Sequence, residues 1–222
     1  MKILVACEES QAVTKELRAL GHEAYSCDII ECSGGHPEWH IMQDVIPLLD
    51  GNCSFKTMDD IEHTISDRWD MIIAFPPCTY LSNAGACRLY PHKGQIDMER
   101  YKKGLKAKEF FLKFLNANCD RIAVENPVSS KVFDMPKHTQ EIQPYMFGHP
   151  FTKKTRLWLR GLPPLQETNV VEPIAPYCPA GTGRKDRSKY GAAKRGEDAK
   201  NRAKTFEGVA KAMAEQWTNF DK

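Results

Sequence analysis

The sequence has no excess of charge of either sign, because 31 basic and 29 acidic residues leave a net charge of +2. A polyanionic partner would therefore have to bind a local basic segment rather than the whole surface. No apolar run approaches the roughly 18 residues that a membrane span needs, and the first residues form too short an apolar stretch for a signal peptide. These absences predict a cytoplasmic protein without membrane attachment.

The eight cysteines form no Cys-x-x-Cys pair, and no regular disulfide framework is visible in their spacing. This pattern predicts reduced thiols and no zinc site. His36 and His40 have helical spacing, but no third ligand accompanies them, so we expect no metal. A chain of 222 residues suits one core, and we predict a single domain over residues 1–222.

The amino-terminal pattern predicts a βαβ unit: a strand at 2–7, a helix at 10–20 and a strand at 23–27. Asp28 ends the second strand, where an acid can accept hydrogen bonds from ribose hydroxyls. Asp44 lies near the end of another predicted strand. We therefore predict an α/β fold with a mainly parallel, Rossmann-like sheet and helices on both faces.

The glycine-rich phosphate loop of dinucleotide-binding proteins is missing from the first turn, which reads Cys7, Glu8, Glu9 and Ser10. Two carboxylates would repel a pyrophosphate and favour a ligand that carries positive charge. S-adenosylmethionine (SAM), with its sulfonium and ammonium groups, fits this requirement. The alternative is that the two acids only complement the dipole of the following helix.

The rest of the chain continues the α/β alternation. Predicted elements are a helix at 58–66, strands at 69–74, 121–124 and 155–160, a long helix at 97–118 and a closing helix at 205–217.

The segment Phe75-Pro76-Pro77-Cys78-Thr79 stops the strand at 69–74, because proline cannot donate to a sheet. Cys78 is thereby held on a stiff turn at the carboxyl end of a central strand, where ligands bind in open α/β sheets. A thiolate there is a candidate nucleophile. A buried structural thiol is the alternative.

The strand at 121–124 leads into Glu125, Asn126 and Pro127, again at a carboxyl end. A neighbouring parallel strand would bring Glu125 beside Cys78, where burial would raise its pKa and allow proton exchange with a substrate ring. An acid at a helix N-terminus is the competing interpretation. Arg156, on the strand at 155–160, can offer its planar fork to a carbonyl, carboxylate or phosphate.

Two basic segments are candidate contacts for a nucleic acid. Residues 82–104 would form a mobile loop, and the insert at 163–204 holds nine lysines and arginines against three acids between residues 184 and 204. Such segments suit phosphate contacts, although a solvated connection is the alternative for each.

In their order, these motifs resemble those of the DNA cytosine-5 methyltransferases, specifically the short, phage-type members. The resemblance rests on Pro77-Cys78, Glu125-Asn126 and the basic strand Lys154-Thr155-Arg156, with weaker matches at Asp28, Asp44 and residues 205–210. It implies a prokaryotic or phage-infected host cell, SAM as methyl donor, and a flipped cytosine in DNA as substrate.

The resemblance also implies roles for individual residues. Cys78 would attack carbon 6 of cytosine, Glu125 would protonate ring nitrogen 3, Asn126 would brace the loop, and Arg156 would contact the base. The cofactor side would comprise Cys7, Glu8, Glu9, Ser10, Asp28, Ile29, Asp44, Val45, Pro76 and Thr205. The substrate side would comprise Pro77, Thr79, Pro127, Lys154, Arg184, Lys185 and Arg187.

The chain departs from the family pattern in several places. Thr79 follows the cysteine where the family usually has glutamine, Pro127 replaces a hydrophobic residue, and only about 40 residues remain for target recognition. Open alternatives are the same chemistry on RNA, single-stranded DNA or a nucleotide, a modified SAM donor, and a non-catalytic DNA-binding protein. An amino-methyltransferase is disfavoured because Cys78 replaces the aromatic residue after the two prolines.

Overall fold

A computed structural model describes residues 1–92, 94–177 and 203–220. Its helices are α1 (Ala12–Ala19), α2 (Met98–Leu115) and α3 (Glu207–Asn219). Its strands are β1 (Lys2–Ala6), β2 (Glu23–Asp28), β3 (His40–Met42), β4 (Cys53–Lys56), β5 (Glu62–Ile65), β6 (Met71–Ala74), β7 (Ile122–Pro127), β8 (Gln140–Ile142), β9 (Phe151–Thr152), β10 (Thr155–Arg160) and β11 (Ala175–Pro176).

Within these residues, seven strands form the main sheet in the order β3-β2-β1-β6-β7-β10-β8. The first five strands of this order, β3, β2, β1, β6 and β7, pair in parallel. Strand β10 runs antiparallel to both of its neighbours, β7 and β8. The chain starts in the middle of the sheet, moves outward through β2 and β3, and returns to β6 on the other side of β1. This is the order of a doubly wound fold, with its switch point between β1 and β6.

Each face of the sheet is covered by helix. Val13 and Leu17 of α1 and Trp217 of α3 pack on one face, and Phe111 and Phe114 of α2 pack on the other. Strands β1 and β6 are buried on both faces, which explains their continuous apolar sequences. The predicted fold class, a Rossmann-like α/β sheet with helices on both faces, is confirmed. No helix in the described part of the chain has the length and apolar character to cross a bilayer.

The helix predicted at 58–66 is wrong, because this region forms the hairpin β4–β5. In each strand the less exposed side chains alternate with exposed ones, and Phe55 in β4 and Ile65 in β5 are buried. Ile61, in contrast, is exposed. The turn between the strands has a left-handed residue, Asp60 (φ 65°). The amide of Thr57 closes the turn by donating a hydrogen bond to the carbonyl of Ile61. The helical spacing of the apolar residues there is therefore coincidental.

For the helix predicted at 97–118, the apolar residues predict a buried face made of Met98, Tyr101, Leu105, Phe111, Leu112 and Leu115, which is correct only in part. Phe111 is buried, but Met98 and Leu105 are exposed. Gly104 occupies the buried position instead, because the ring of Phe133 packs directly against its backbone.

The contact of Gly104 with Phe133 gives a stability prediction. A Cβ at position 104 would overlap the Phe133 ring, which is buried and has no room to move. We expect Gly104→Ala to lower the free energy of unfolding by about 1–2 kcal/mol, since overpacking outweighs the gain in helix propensity. Urea denaturation measures the change. The exposed Lys106→Ala on the same helix is the control, and a stabilised Gly104→Ala would contradict the packing argument.

Candidate active site

The turn that carries Cys78 lies at the carboxyl end of β6. Phe75 extends β6 by donating its amide to the carbonyl of Ala6 (2.9 Å), and the prolines end the strand. The carbonyl of Cys78 then accepts the amides of Leu81 (3.1 Å) and Ser82 (2.9 Å). Cys78 is half-buried on this tight turn, as the two prolines predict.

Asn126 joins this turn to the neighbouring strand. Strands β6 and β7 are adjacent and parallel, with Ala74 opposite Val124. The side chain of Asn126 is fully buried, and its Nδ2 donates a hydrogen bond to the carbonyl of Pro76 (3.0 Å). The segments that contain the candidate nucleophile and the candidate acid therefore leave the sheet side by side.

Glu125 faces the side of the sheet that α1 and α3 cover, opposite to Asn126. Its carboxyl group borders a cavity of about 20 Å³, which Lys153, Thr155 and Thr205 also line. Burial raises the pKa of Glu125, while the charge of Lys153 and a hydrogen bond from Thr155 oppose the rise. Glu125 is thus an acid with increased affinity for its proton, as the sequence analysis expects.

Arg156 does not lie with Glu125. In the register of β7 and β10, Arg156 is opposite Asn126 and therefore lies on the α2 face. Its Nε is 2.9 Å from the Glu141 carboxylate, and the Lys154 ammonium is 3.1 Å from the other oxygen of the same group. The predicted roles of Arg156 and Lys154 at the base would compete with these two ion pairs to Glu141.

Sequence reasoning missed Lys153 and Thr155, which are the residues of this segment next to Glu125. The two-residue alternation of a strand separates the side chains at 153 and 155 from those at 154 and 156. Only the pairing of β10 with β7, which puts Leu157 opposite Glu125, fixes which set faces the acid. The sequence carries no signal for that register.

Acidic residues gather at the carboxyl ends of β1, β2 and β3. The pKa of Cys7 is raised well above its ordinary value by burial and by the nearby charges of Asp28 and Asp44. Burial is also the main cause of a raised pKa at Asp28, to which Glu9 contributes. Ile29, directly after Asp28, is 76% exposed at this edge. The arrangement suits a cationic ligand with hydroxyl donors and an apolar ring. Val45, also predicted on the cofactor side, is buried.

Glu8 has its side chain in the fold rather than in this cleft. Its carboxylate accepts the amides of Val13 (2.6 Å) and Thr14 (3.2 Å) and the Thr14 hydroxyl (2.7 Å), so it caps the amino end of α1. These contacts favour the helix-dipole interpretation for Glu8. The N-cap of α1 is Gln11, in a left-handed conformation (φ 56°), so the helix begins two residues later than the predicted start at residue 10.

The basic segments are described only in part. Asn83–Arg88 forms a short 3-10 helix, and α2 begins at Met98, so much of residues 82–104 is regular structure. Arg184, Lys185 and Arg187 lie outside the described residues. Thr79 and Pro77 are exposed beside Cys78, and Pro127 ends β7. Among the described residues, no cluster of His, Cys, Asp or Glu is placed to hold a metal ion.

The order of the strands defines the fold class as Rossmann-like, and the comparisons with known proteins add little to it. No family model and no curated protein matches the chain. One similar structure is a presumed DNA modification methyltransferase encoded within a prophage of E. coli, with 12% sequence identity and a TM-score of 0.39. The match covers 71% of this chain and 45% of that protein, so the chain spans less than half of its length. A TM-score this low does not establish a shared function.

The cap formed by Glu8 gives a pH prediction. Burial raises the pKa of Glu8 from 4.5 to about 7, so its contribution to stability is present below pH 4.5 and is lost as the pH rises through 7. This shift corresponds to roughly 3 kcal/mol between pH 4.5 and pH 8. Urea denaturation at several pH values should show this decline in the wild type and a flatter profile in Glu8→Gln. The control Glu16→Gln, on the same helix, should keep the decline, and an unchanged slope in Glu8→Gln would refute the assignment.

Proposed function

We propose that this protein is a SAM-dependent methyltransferase that acts on carbon 5 of cytosine in DNA through a covalent bond to Cys78. The observation that carries this proposal is the hydrogen bond from Asn126 to Pro76, which joins the Cys78 turn to the Glu125 strand end. A thiol and a carboxyl group with a raised pKa, at adjacent strand ends, are the two groups that this chemistry uses.

The first step uses Cys78 and Glu125 together. The Cys78 thiolate donates an electron pair to form a bond with carbon 6 of the ring, and Glu125 gives its proton to ring nitrogen 3. The electrons of the carbon 5–carbon 6 double bond then become available at carbon 5. The raised pKa of Glu125 favours this role, because the acid must still hold its proton when the thiolate attacks.

SAM, when bound, supplies the methyl group as an electrophile. The residues that would hold it are Asp28 at the ribose hydroxyls, Asp44 at the adenine amino group, and Ile29 against the adenine ring. After the transfer, water accepts the proton that leaves carbon 5, and its electron pair restores the carbon 5–carbon 6 double bond as the bond between sulfur and carbon 6 breaks. Cys78 leaves as a thiolate, and ring nitrogen 3 returns its proton to Glu125.

The cavity beside Glu125 requires a structural change before it can hold a pyrimidine. Its volume of about 20 Å³ accommodates one water molecule. Lys153, Thr205 and Phe206 are among the residues that line this cavity. These side chains would have to move when a base enters, and a base in duplex DNA would first have to leave its stack.

The substrate is tested by incubating the protein with labelled SAM and either duplex DNA, single-stranded DNA, RNA or nucleotides. Mass spectrometry of the nucleosides then identifies the base, the position and the transferred group. 5-Methylcytosine in DNA supports the proposal. If 5-methylcytosine forms only in RNA or in nucleotides, the proposed DNA substrate is wrong and that acceptor takes its place. If none of the acceptors is methylated, the result supports a non-catalytic DNA-binding protein.

The role of Cys78 predicts a trapped complex. DNA that contains 5-fluorocytosine lacks the proton that must leave carbon 5, so in the presence of SAM the bond to Cys78 should persist. Cys78→Ala should form no covalent complex and should lose methylation by at least about a thousandfold. Denaturing gels detect the complex. Cys53→Ala, in the β4–β5 hairpin, is the control, and methylation by Cys78→Ala would exclude this nucleophile.

The charge of Lys153 predicts a shift in the pH profile. Glu125 acts in its protonated form, so kcat/KM for methylation should decline as the pH rises through the pKa of Glu125 in the free enzyme. Lys153 lowers this pKa, and Lys153→Met should therefore move the decline in kcat/KM to higher pH. Lys154→Met removes the same charge next to Glu141 and should leave the decline in place. Equal shifts in both variants would contradict a specific effect of Lys153.

A further inference from the structure

Arg100, in the first turn of α2, contacts the turn that carries Cys78. Its Nη2 donates a hydrogen bond to the carbonyl of Thr79 (2.9 Å), and its guanidinium lies 5.0 Å from the centre of the Tyr80 ring. One side chain thus binds the two residues that follow the candidate nucleophile. Both contacts use the planar fork of arginine, which lysine cannot reproduce.

The start of α2 is fixed where Arg100 can make these contacts. Asp97 caps the helix by accepting the amide of Arg100 (3.0 Å), and its own amide binds the carbonyl of the buried Leu89 (2.9 Å). Gly85 allows the close approach, because a Cβ there would lie 3.0 Å from the Thr79 oxygen and 3.1 Å from Arg100 Nη2. Gly85 therefore leaves room for the contact between Arg100 and Thr79, and the Asp97 cap sets the position of Arg100.

The other side of the Cys78 turn is held by the chain that leaves β7. The amide of Asn83 binds the carbonyl of Val128 (2.7 Å), and the amide of Ser130 binds the carbonyl of Leu81 (2.8 Å). These backbone contacts fix the end of the turn, whereas Arg100 fixes its middle, at Thr79 and Tyr80. The turn is thus held between α2 and the β7 exit.

We infer that Arg100 is a positioning residue, which holds the Cys78 turn in the geometry required for attack on the substrate. This inference rests on the proposed function. It assigns to one member of the basic segment 82–104 a role inside the protein rather than a contact with phosphate. Lys103, in the next turn of the helix, instead pairs with Glu99 (2.6 Å).

Single-turnover adduct formation tests the inference. Saturating DNA with 5-fluorocytosine is mixed with protein and SAM, and the rate of the covalent step is measured for wild type, Arg100→Ala, Arg100→Lys and Lys106→Ala. We expect Arg100→Ala to slow this step by about 10- to 100-fold, since a misplaced nucleophile loses that much rate. Arg100→Lys should recover little of it, and the control Lys106→Ala, exposed on the same helix, should match the wild type.

The dependence of DNA binding on salt distinguishes a positioning residue from a phosphate contact. Loss of a phosphate contact would reduce the slope of log K against log salt by about 1 and leave the rate at saturation unchanged. We expect the opposite for Arg100→Ala, namely an unchanged slope and a slower covalent step. A reduced slope with a normal rate would overturn the inference.

Alkylation of Cys78 by iodoacetamide provides a readout that needs no substrate. Peptide mass spectrometry follows Cys78 and, as an internal control, Cys53. We expect Arg100→Ala to change the alkylation rate of Cys78 by about tenfold, as expected for losing a hydrogen bond from a charged donor, with Cys53 unchanged and the melting temperature near that of wild type. If Arg100→Ala melts early, Arg100→Lys replaces it in both assays.

The two readouts separate the inference from the proposed function. A wild type that forms no adduct, together with altered Cys78 alkylation in the Arg100 variants, contradicts the proposed function and supports positioning. A wild type that forms the adduct, with Arg100 variants equal to it in both rates, contradicts positioning and supports the proposed function.

Discussion

The candidate site depends on one buried hydrogen bond, from the Asn126 side chain to the carbonyl of Pro76 (3.0 Å). Pro76 and Pro77 cannot continue the ladder of β6, so strand pairing does not hold the beginning of their turn against β7. Backbone contacts with Val128 and Ser130 hold only the end of the turn. The Asn126 amide holds the beginning of the turn from within the neighbouring strand. Because Asn126 is fully buried, the hydrogen bond is shielded from water, and its loss would leave a buried carbonyl without a partner, at about 1–3 kcal/mol.

The alternation of side chains along β7 gives its last residues different tasks. Asn126 faces α2 and holds the Cys78 turn, while Glu125 faces α3 and borders the cavity. The same alternation divides the basic strand, since Thr155 lies with Glu125 and Arg156 pairs with Glu141 on the other face. Glu125 and Asn126, adjacent at the end of β7, therefore place one side chain on each face of the sheet.

Much of this architecture is visible in the sequence because it depends on local patterns. The strand predicted at 155–160 coincides with β10, and the prolines locate the end of β6. Features that depend on distant partners are not visible. The pairing of Arg156 with Glu141 requires β8 to lie beside β10, and the β4–β5 hairpin depends on Phe55 packing against Tyr25 and Trp69. Neither contact has a signature in the local spacing of apolar residues.

The order of the strands also sorts the charges of the site. The acids at Glu9, Asp28 and Asp44 follow or flank β1 to β3, on one side of the switch point, whereas Lys153 precedes β10 on the other side. The Cys78 turn follows β6, at the boundary between these halves. A cationic methyl donor and a polyanionic substrate, as proposed, would be drawn to opposite sides of the same thiol. The sheet order thus offers a physical reason why both could reach Cys78 without competing for one surface.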